Sequence, residues 1–324
     1  MLGLLTIMSC QKQGKGATDN KTKSDTAVTE KADSNITALS DTADADDTEP
    51  LPFIEERFMS LANQLYDIQV NHDEWEVKNK KKEEIFTRAF TRALVAFYNK
   101  QNKDKKLSDS QKAALMLKEF KAGFHPYEAT TTLDMSIAGC LRYGIARYEV
   151  NTLTAQLVQK NPDLQSEINA WNHLYESLAS FVSSVSYRWW FGGSGAGVAS
   201  ISGSIRLKEA RLADLRAMEK GRKGKDKGTK TKNVSEKDFL KAMEKASGDL
   251  SEDKEYSETL SGEQLKEYRN LLKSIKKDKQ QLPQRLSEWL KQRRQLKLNN
   301  TKTLLDKLTK AILDTDPHGH NYEE

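Results

Sequence analysis

The chain of 324 residues carries 52 Lys and Arg against 47 Asp and Glu, a net charge of +5, with 37% hydrophobic residues, 6 Pro and 2 Cys. Two cysteines exclude a disulfide framework, and a charged fraction of 31% without long uncharged spans excludes a polytopic membrane protein. The balance fits long helices with large solvated faces, joined to a polar segment that has little to bury.

The chain begins Met-Leu-Gly-Leu-Leu-Thr-Ile-Met-Ser-Cys, an uncharged apolar run too short to span a bilayer that ends in Ser9 and Cys10. Ile7-Met8-Ser9-Cys10 resembles a bacterial lipobox, which implies a signal peptide cleaved before Cys10 and acylation of that cysteine, with palmitate or similar chains giving stable membrane anchoring. Residues 11–50 hold five Lys against nine Asp and Glu, net −4, and read as a disordered tether. As a flexible coil it reaches roughly 35 Å, taking about 5–6 Å times the square root of its length. By subtraction residues 51–324 carry +9. Gln11 after Cys10, in place of the Asp that retains enteric lipoproteins in the inner membrane, points to the outer membrane of the cell envelope.

From residue 51 onward the periodicity is helical, with almost no strand alternation. Phe53, Phe58, Leu61, Leu65 and Ile68 form one amphipathic stripe, and Ile85, Phe86, Ala89, Phe90, Ala93, Leu94 and Phe97 a second. Ser108 and Gln111 form a capping box for a helix that ends at Gly123. A longer apolar-rich helix covers 130–158 and stops at Asn161-Pro162-Asp163, with Asp163 as the expected cap of the next. In that next helix Trp171, Leu174, Leu178, Phe181, Val185 and Trp189 follow spacings of 3, 4, 3, 4 and 4, a coiled-coil-like seam that must face another helix. Gly192-Gly193-Ser194-Gly195 then turns the chain, and Val198, Ile201, Ile205, Leu212 and Leu215 resume the helical spacing, making an αα-hairpin.

Residues 220–232 hold seven basic side chains, Lys220, Arg222, Lys223, Lys225, Lys227, Lys230 and Lys232, against Asp226, and form the expected flexible basic linker. Helical stretches follow over 235–246, 261–280 and 283–313, with Leu282-Pro283 as the expected last break and 316–324 as a polar tail. The fold expected is all-α, an antiparallel helical bundle of αα-hairpins. It divides into a bundle over 51–219, the linker 220–234 and a C-terminal helical region over 235–315.

The hairpin carries a family pattern. Ala170-Trp171, Gly192-Gly193-Ser194 and the run from Arg206 through Arg211 to Leu215 resemble the LprI-type lysozyme-inhibitor domain family of exported helical proteins, over roughly residues 150–216. A fainter second copy of the Trp half lies near 268–293, in Ser287-Glu288-Trp289-Leu290-Lys291-Gln292-Arg293. Two positions depart from the family: its Arg-Asp-x-x-Cys portion is Tyr175-Glu176-Ser177-Leu178-Ala179 here, and Gly203 stands at its second cysteine. Both halves of the family's presumed disulfide are missing together, leaving the Trp171 to Trp189 seam as the expected replacement. The resemblance implies a lysozyme-like hydrolase as partner, with Arg206 and Arg211 among its contacts; shared fold does not by itself carry activity.

No Ser-His-Asp ordering, Cys-His pair or His-Glu-x-x-His motif is visible, so no catalytic residue, metal ligand or cofactor is assigned, and the chain reads as a non-enzyme. His318 and His320 sit on the polar tail, His173 beside Trp171, and Cys140 in an apolar context where a buried thiol packs well. Trp190 and Phe191, off the seam beside the turn, either cap the bundle or offer an aromatic contact to a protein partner. The alternative to the inhibitor reading is a structural lipoprotein whose basic surface, residues 220–232 above all, holds anionic envelope polymer or lipid. A net +9 opposes a basic lysozyme as partner and favours the alternative. Nucleic-acid binding is not expected, because the basic run lacks interleaved aromatics.

Overall fold

A computed structural model describes residues 56–73, 81–102, 106–123, 131–190, 195–220, 234–250 and 257–315. Residues 1–10, read as a signal peptide ending in Cys10, and residues 11–50, read as a tether, lie outside the described residues, as do Phe191, Gly192-Gly193-Ser194, the basic residues from Arg222 to Lys232, and His318 and His320.

The protein is all-α. In chain order the helices are α1 (Glu56–Asp73), α2 (Lys82–Gln101), α3 (Asp109–Gly123), α4 (Thr132–Lys160), α5 (Leu164–Trp189), α6 (Gly195–Glu219), α7 (Glu236–Ser247), α8 (Gly262–Gln295) and α9 (Thr301–Leu313). Of the stripes read from sequence, Leu61 and Leu65 on α1 and Phe86, Phe90, Ala93 and Leu94 on α2 are buried, Ile68, Ala89 and Phe97 are half-buried and Ile85 is exposed, while Phe53 and the Phe58 side chain lie outside what is described. Caps form where the pattern placed one at Ser108, whose backbone N–H donates to Gln111 Oε1 at 2.9 Å while Ser108 Oγ accepts from the Gln111 N–H at 3.3 Å. Asp163 makes no side-chain cap; its backbone is already helical, and the first α5 amides bond to the carbonyls of Asn161 and Pro162 instead.

Two apolar cores form. The first joins α1, α2, α3 and the leading half of α4 through Leu61, Phe86, Phe90, Phe120, Leu141 and Tyr148. The second joins α5 and α6 to α7, α8 and α9 through Trp171, Phe181, Phe239, Leu282, Trp289 and Leu308. The hairpin thus shares its main core with the C-terminal helices, across the linker, rather than with α1 to α3. The trailing half of α4 packs on the start of α5 and the end of α6 in a smaller cluster, so α4 belongs to both parts.

Named contacts fix the directions. Gly139 of α4 faces Ile201 of α6, and farther along Glu149 pairs with Arg216, so α4 and α6 run parallel. α5 runs against both neighbours: its Ser183 bonds Ser200 of α6 at 3.0 Å, and its Ser180 donates to Asp278 of α8 at 2.7 Å. α5 and α6 approach very closely, and a Cβ on Gly203 would lie 2.3 Å from Val182 Cγ1. Gly203 therefore sits in a helix-on-helix contact that only glycine fits. Gly203→Ala would gain about 1 kcal/mol of helix propensity but lose about 1–3 kcal/mol to overpacking. The expected net loss is about 1 kcal/mol, measured by urea unfolding.

The break expected at Pro283 does not occur; α8 runs through it as one helix to Gln295. Pro283 lacks the N–H that would return to the Lys279 carbonyl, a cost of about 3 kcal/mol, but Leu282 and Leu286 on either side are fully buried and hold the helix on the core. The helix ends instead at Lys297, whose φ of 52° is left-handed. The Leu298 N–H bonds Arg293 O at 3.0 Å and the Lys297 N–H bonds Arg294 O at 3.1 Å, the paired bonds of a Schellman stop made without glycine.

Candidate functional site

Along the buried side of α8 stand Tyr268, Leu271, Ile275, Asp278, Leu282, Leu286, Trp289 and Arg293, at steps of 3 and 4 residues. Two of these eight carry charge, Asp278 and Arg293, and each has a specific partner. Arg293 reaches the centre of the second core, where it meets Glu167 from α5 and Arg211 and Asp214 from α6; these four side chains are 0–1% exposed. Arg211 grips Glu167 with two N–H donors at 2.8 and 2.6 Å. Arg293 grips Asp214 likewise, with both bonds at 2.8 Å. Cross-bonds close the group: Arg211 Nη1 to Asp214 at 2.9 Å and Arg293 Nη1 to Glu167 at 3.1 Å.

The two tryptophans of the resembling segments complete the cluster. Trp171 and Trp289 pack with ring centroids 5.7 Å apart, and the Trp289 indole N–H donates to Glu167 Oε1 at 2.8 Å. Arg211 lies 4.7 Å over the Trp171 ring and Arg293 lies 5.0 Å over the Trp289 ring. Burial alone would push the Glu167 carboxyl up, but Arg211, Arg293 and the indole donor outweigh it and hold its pKa at about 2. With two carboxylates and two guanidiniums the cluster is neutral, and its geometry is that of a structural lock rather than of a site open to a ligand.

Arg211 is accordingly corrected as a partner-contact residue: at 1% exposure it cannot reach a partner. Arg206 stays at the surface, paired with Asp314 at 3.0 Å. Trp189 leaves the seam half-buried; its indole N–H donates to Ala246 O at 2.9 Å, while Arg188 bonds the carbonyls of Ser247 and Asp249. Those two side chains satisfy the last carbonyls of α7, a charge-complementary end to that helix. Trp190 remains 41% exposed, its ring lying over Gly195 at the start of α6. Because α4 and α6 run parallel with Gly139 facing Ile201, the exposed Leu133, Met135 and Ile137 of α4 lie at the same end of the bundle as Trp190.

A second polar cluster ties α2 to α4. Arg147, 2% exposed, donates to both oxygens of Glu83 at 2.8 and 2.7 Å, and Asn151 donates to Glu83 at 2.7 Å. Burial works against the Glu83 charge, yet Arg147 and Asn151 hold its pKa at about 2. Nearby, Tyr143 and Tyr175 share a hydrogen bond of 3.1 Å with the Lys208 ammonium 3.9 Å above the Tyr175 ring, and burial and Tyr143 raise the Tyr175 hydroxyl well above its ordinary value.

The remaining sequence candidates are unremarkable in place. Cys140 is half-buried rather than buried. His173 is exposed, and its carbonyl accepts from Arg285 at 2.7 Å. Lys220 ends α6 at the surface. Among the described residues no group of three or more His, Cys, Asp and Glu side chains could hold a metal ion, and no helix is long and apolar enough to cross a membrane. The lock itself was not foreseen from sequence, although Asp278 and Arg293 falling on an otherwise apolar seven-residue pattern is the signal that could have found it. No family model, curated protein or solved structure matches this chain.

Proposed function

We propose that this chain is a non-enzymatic lipoprotein of the bacterial envelope, anchored through Cys10, whose helical part binds a protein partner at the hairpin end, with a lysozyme-like hydrolase as the partner the LprI resemblance implies. The observation that carries the binding reading is that Trp190, Leu133, Met135 and Ile137, all toward one end of the bundle, are large apolar side chains left exposed.

The test is hydrolysis of cell wall by a lysozyme in the presence of excess full chain. Loss of turnover supports the inhibitor reading, and unchanged turnover at high excess overturns it. Trp190→Ala is expected to abolish the inhibition while shifting stability by no more than about 0.5 kcal/mol, as for a surface position. A large fall in thermal stability instead assigns Trp190 to capping the bundle.

A second reading, a structural lipoprotein that rests on anionic envelope material, is favoured by a different observation: the outward side of α8 is strongly basic and, unlike the end face, complements negative charge.

A further inference from the structure

The sequence places the basic surface at residues 220–232. Opposite its buried seam, however, α8 presents Arg269, Lys273, Lys276, Lys277, Lys291 and Arg294 to solvent, with Lys297 just beyond its end. Over that stretch Glu288 is the one exposed acid. None of these seven basic side chains forms an ion pair with another described residue. The three basic residues turned inward are engaged: Lys279 with Glu244, Arg285 with the His173 carbonyl and Glu176, and Arg293 with Asp214 and Glu167. The free charge is thus confined to one face, running about 40 Å along the helix at 1.5 Å per residue.

We propose that this face of α8 docks on the anionic headgroup plane of a lipid bilayer. The inference rests on the structural-lipoprotein reading and names its partner. The charges follow one line on a convex cylinder, which a plane meets along its whole length. Single-stranded nucleic acid is held by aromatic platforms in a groove, and this face exposes no aromatic side chain. Gln280, Gln284 and Ser287 fill the interval between the two basic groups, so the face carries no apolar stripe to insert and adsorbs by charge alone.

The experiment is co-sedimentation of the full chain carrying Cys10→Ser, so that no acyl chain contributes, with phosphatidylcholine vesicles lacking or containing about 30% phosphatidylglycerol, a density of negative headgroups that attracts basic segments. Binding is expected only to the anionic vesicles, falling at least tenfold as salt rises from about 0.05 to about 0.5 M through screening. The combined variant K273Q/K276Q/K277Q/R294Q, with unchanged thermal unfolding, is expected to bind at least tenfold more weakly, since each surface charge contributes roughly a fivefold factor. Equal binding to neutral vesicles, undiminished binding of the combined variant, or binding to heparin or oligonucleotide with none to anionic vesicles would each overturn the proposal. Mass spectrometry of the mature N-terminus separates the readings: an unmodified Cys10 removes the anchor and leaves the vesicle result standing, whereas an acylated Cys10 with no vesicle binding removes only the docking face.

Discussion

Replacing Arg293 with Met is expected to lower the unfolding free energy by about 3–5 kcal/mol, because it leaves a buried carboxylate uncompensated. Arg293 supplies two of the three bonds to Asp214 and one to Glu167, so without it the cluster holds two carboxylates against the single guanidinium of Arg211. Denaturant unfolding followed by circular dichroism reads the loss directly. Replacing all four charged side chains together with apolar ones of similar volume should cost far less, since the net contribution of an intact buried ion cluster is small. A single and a quadruple variant of equal instability would show that packing around Trp171 and Trp289, and not charge balance, holds this centre. Acid adds an independent check. Glu167 ionises near 2 in the folded chain and near 4.5 when free, so the folded state binds fewer protons in between. Its contribution, about 3 kcal/mol at 1.36 kcal/mol per pH unit, is complete above pH 4.5 and is lost as pH falls toward 2.

Asp278 behaves in the opposite sense. It occupies a seam position of α8 at 4% exposure; burial pushes its carboxyl from 3.8 up to about 6, and Ser180, Lys277 and Arg285 only partly offset this. The folded chain therefore binds the proton more tightly than the unfolded one. Stability is fully present below pH 3.8 and declines as pH rises through 6, so at neutral pH the ionised side chain is a net cost. Asp278→Asn keeps an acceptor for the Ser180 hydroxyl and removes the charge. It is expected to stabilise the protein by about 2 kcal/mol at pH 7–8, after allowing for solvent screening, and by almost nothing near pH 4. Thermal melts of both proteins across pH 4–8 measure it; parallel curves would show that Asp278 does not titrate in the seam.

These two ionisable positions also mark where sequence reasoning stopped. The helices were legible because burial demands an apolar side chain every third or fourth residue, and Trp171 to Val185 obeys that rule without interruption. α8 obeys it too, but with Asp278 and Arg293 inserted, and a pattern scored by hydrophobicity alone reads them as solvated. Pro283 misled for a related reason: its local cost is real, and the packing of Leu282 and Leu286 that exceeds it depends on helices far away in sequence. The burial of Arg211 is not legible locally, because Glu167, which it grips, lies 44 positions away in the sequence. Trp190, by contrast, was placed off the seam by spacing alone and is exposed.

The second core and the four-charge lock both straddle the linker: Glu167, Arg211 and Asp214 precede it and Arg293 follows it. Trp189 and Arg188 likewise reach across to the end of α7. The parts on either side of residues 220–234 are consequently joined by packing and by buried charge as well as by the peptide chain. Cleavage between residues 220 and 234 is therefore expected to leave two pieces that stay associated through one shared interior.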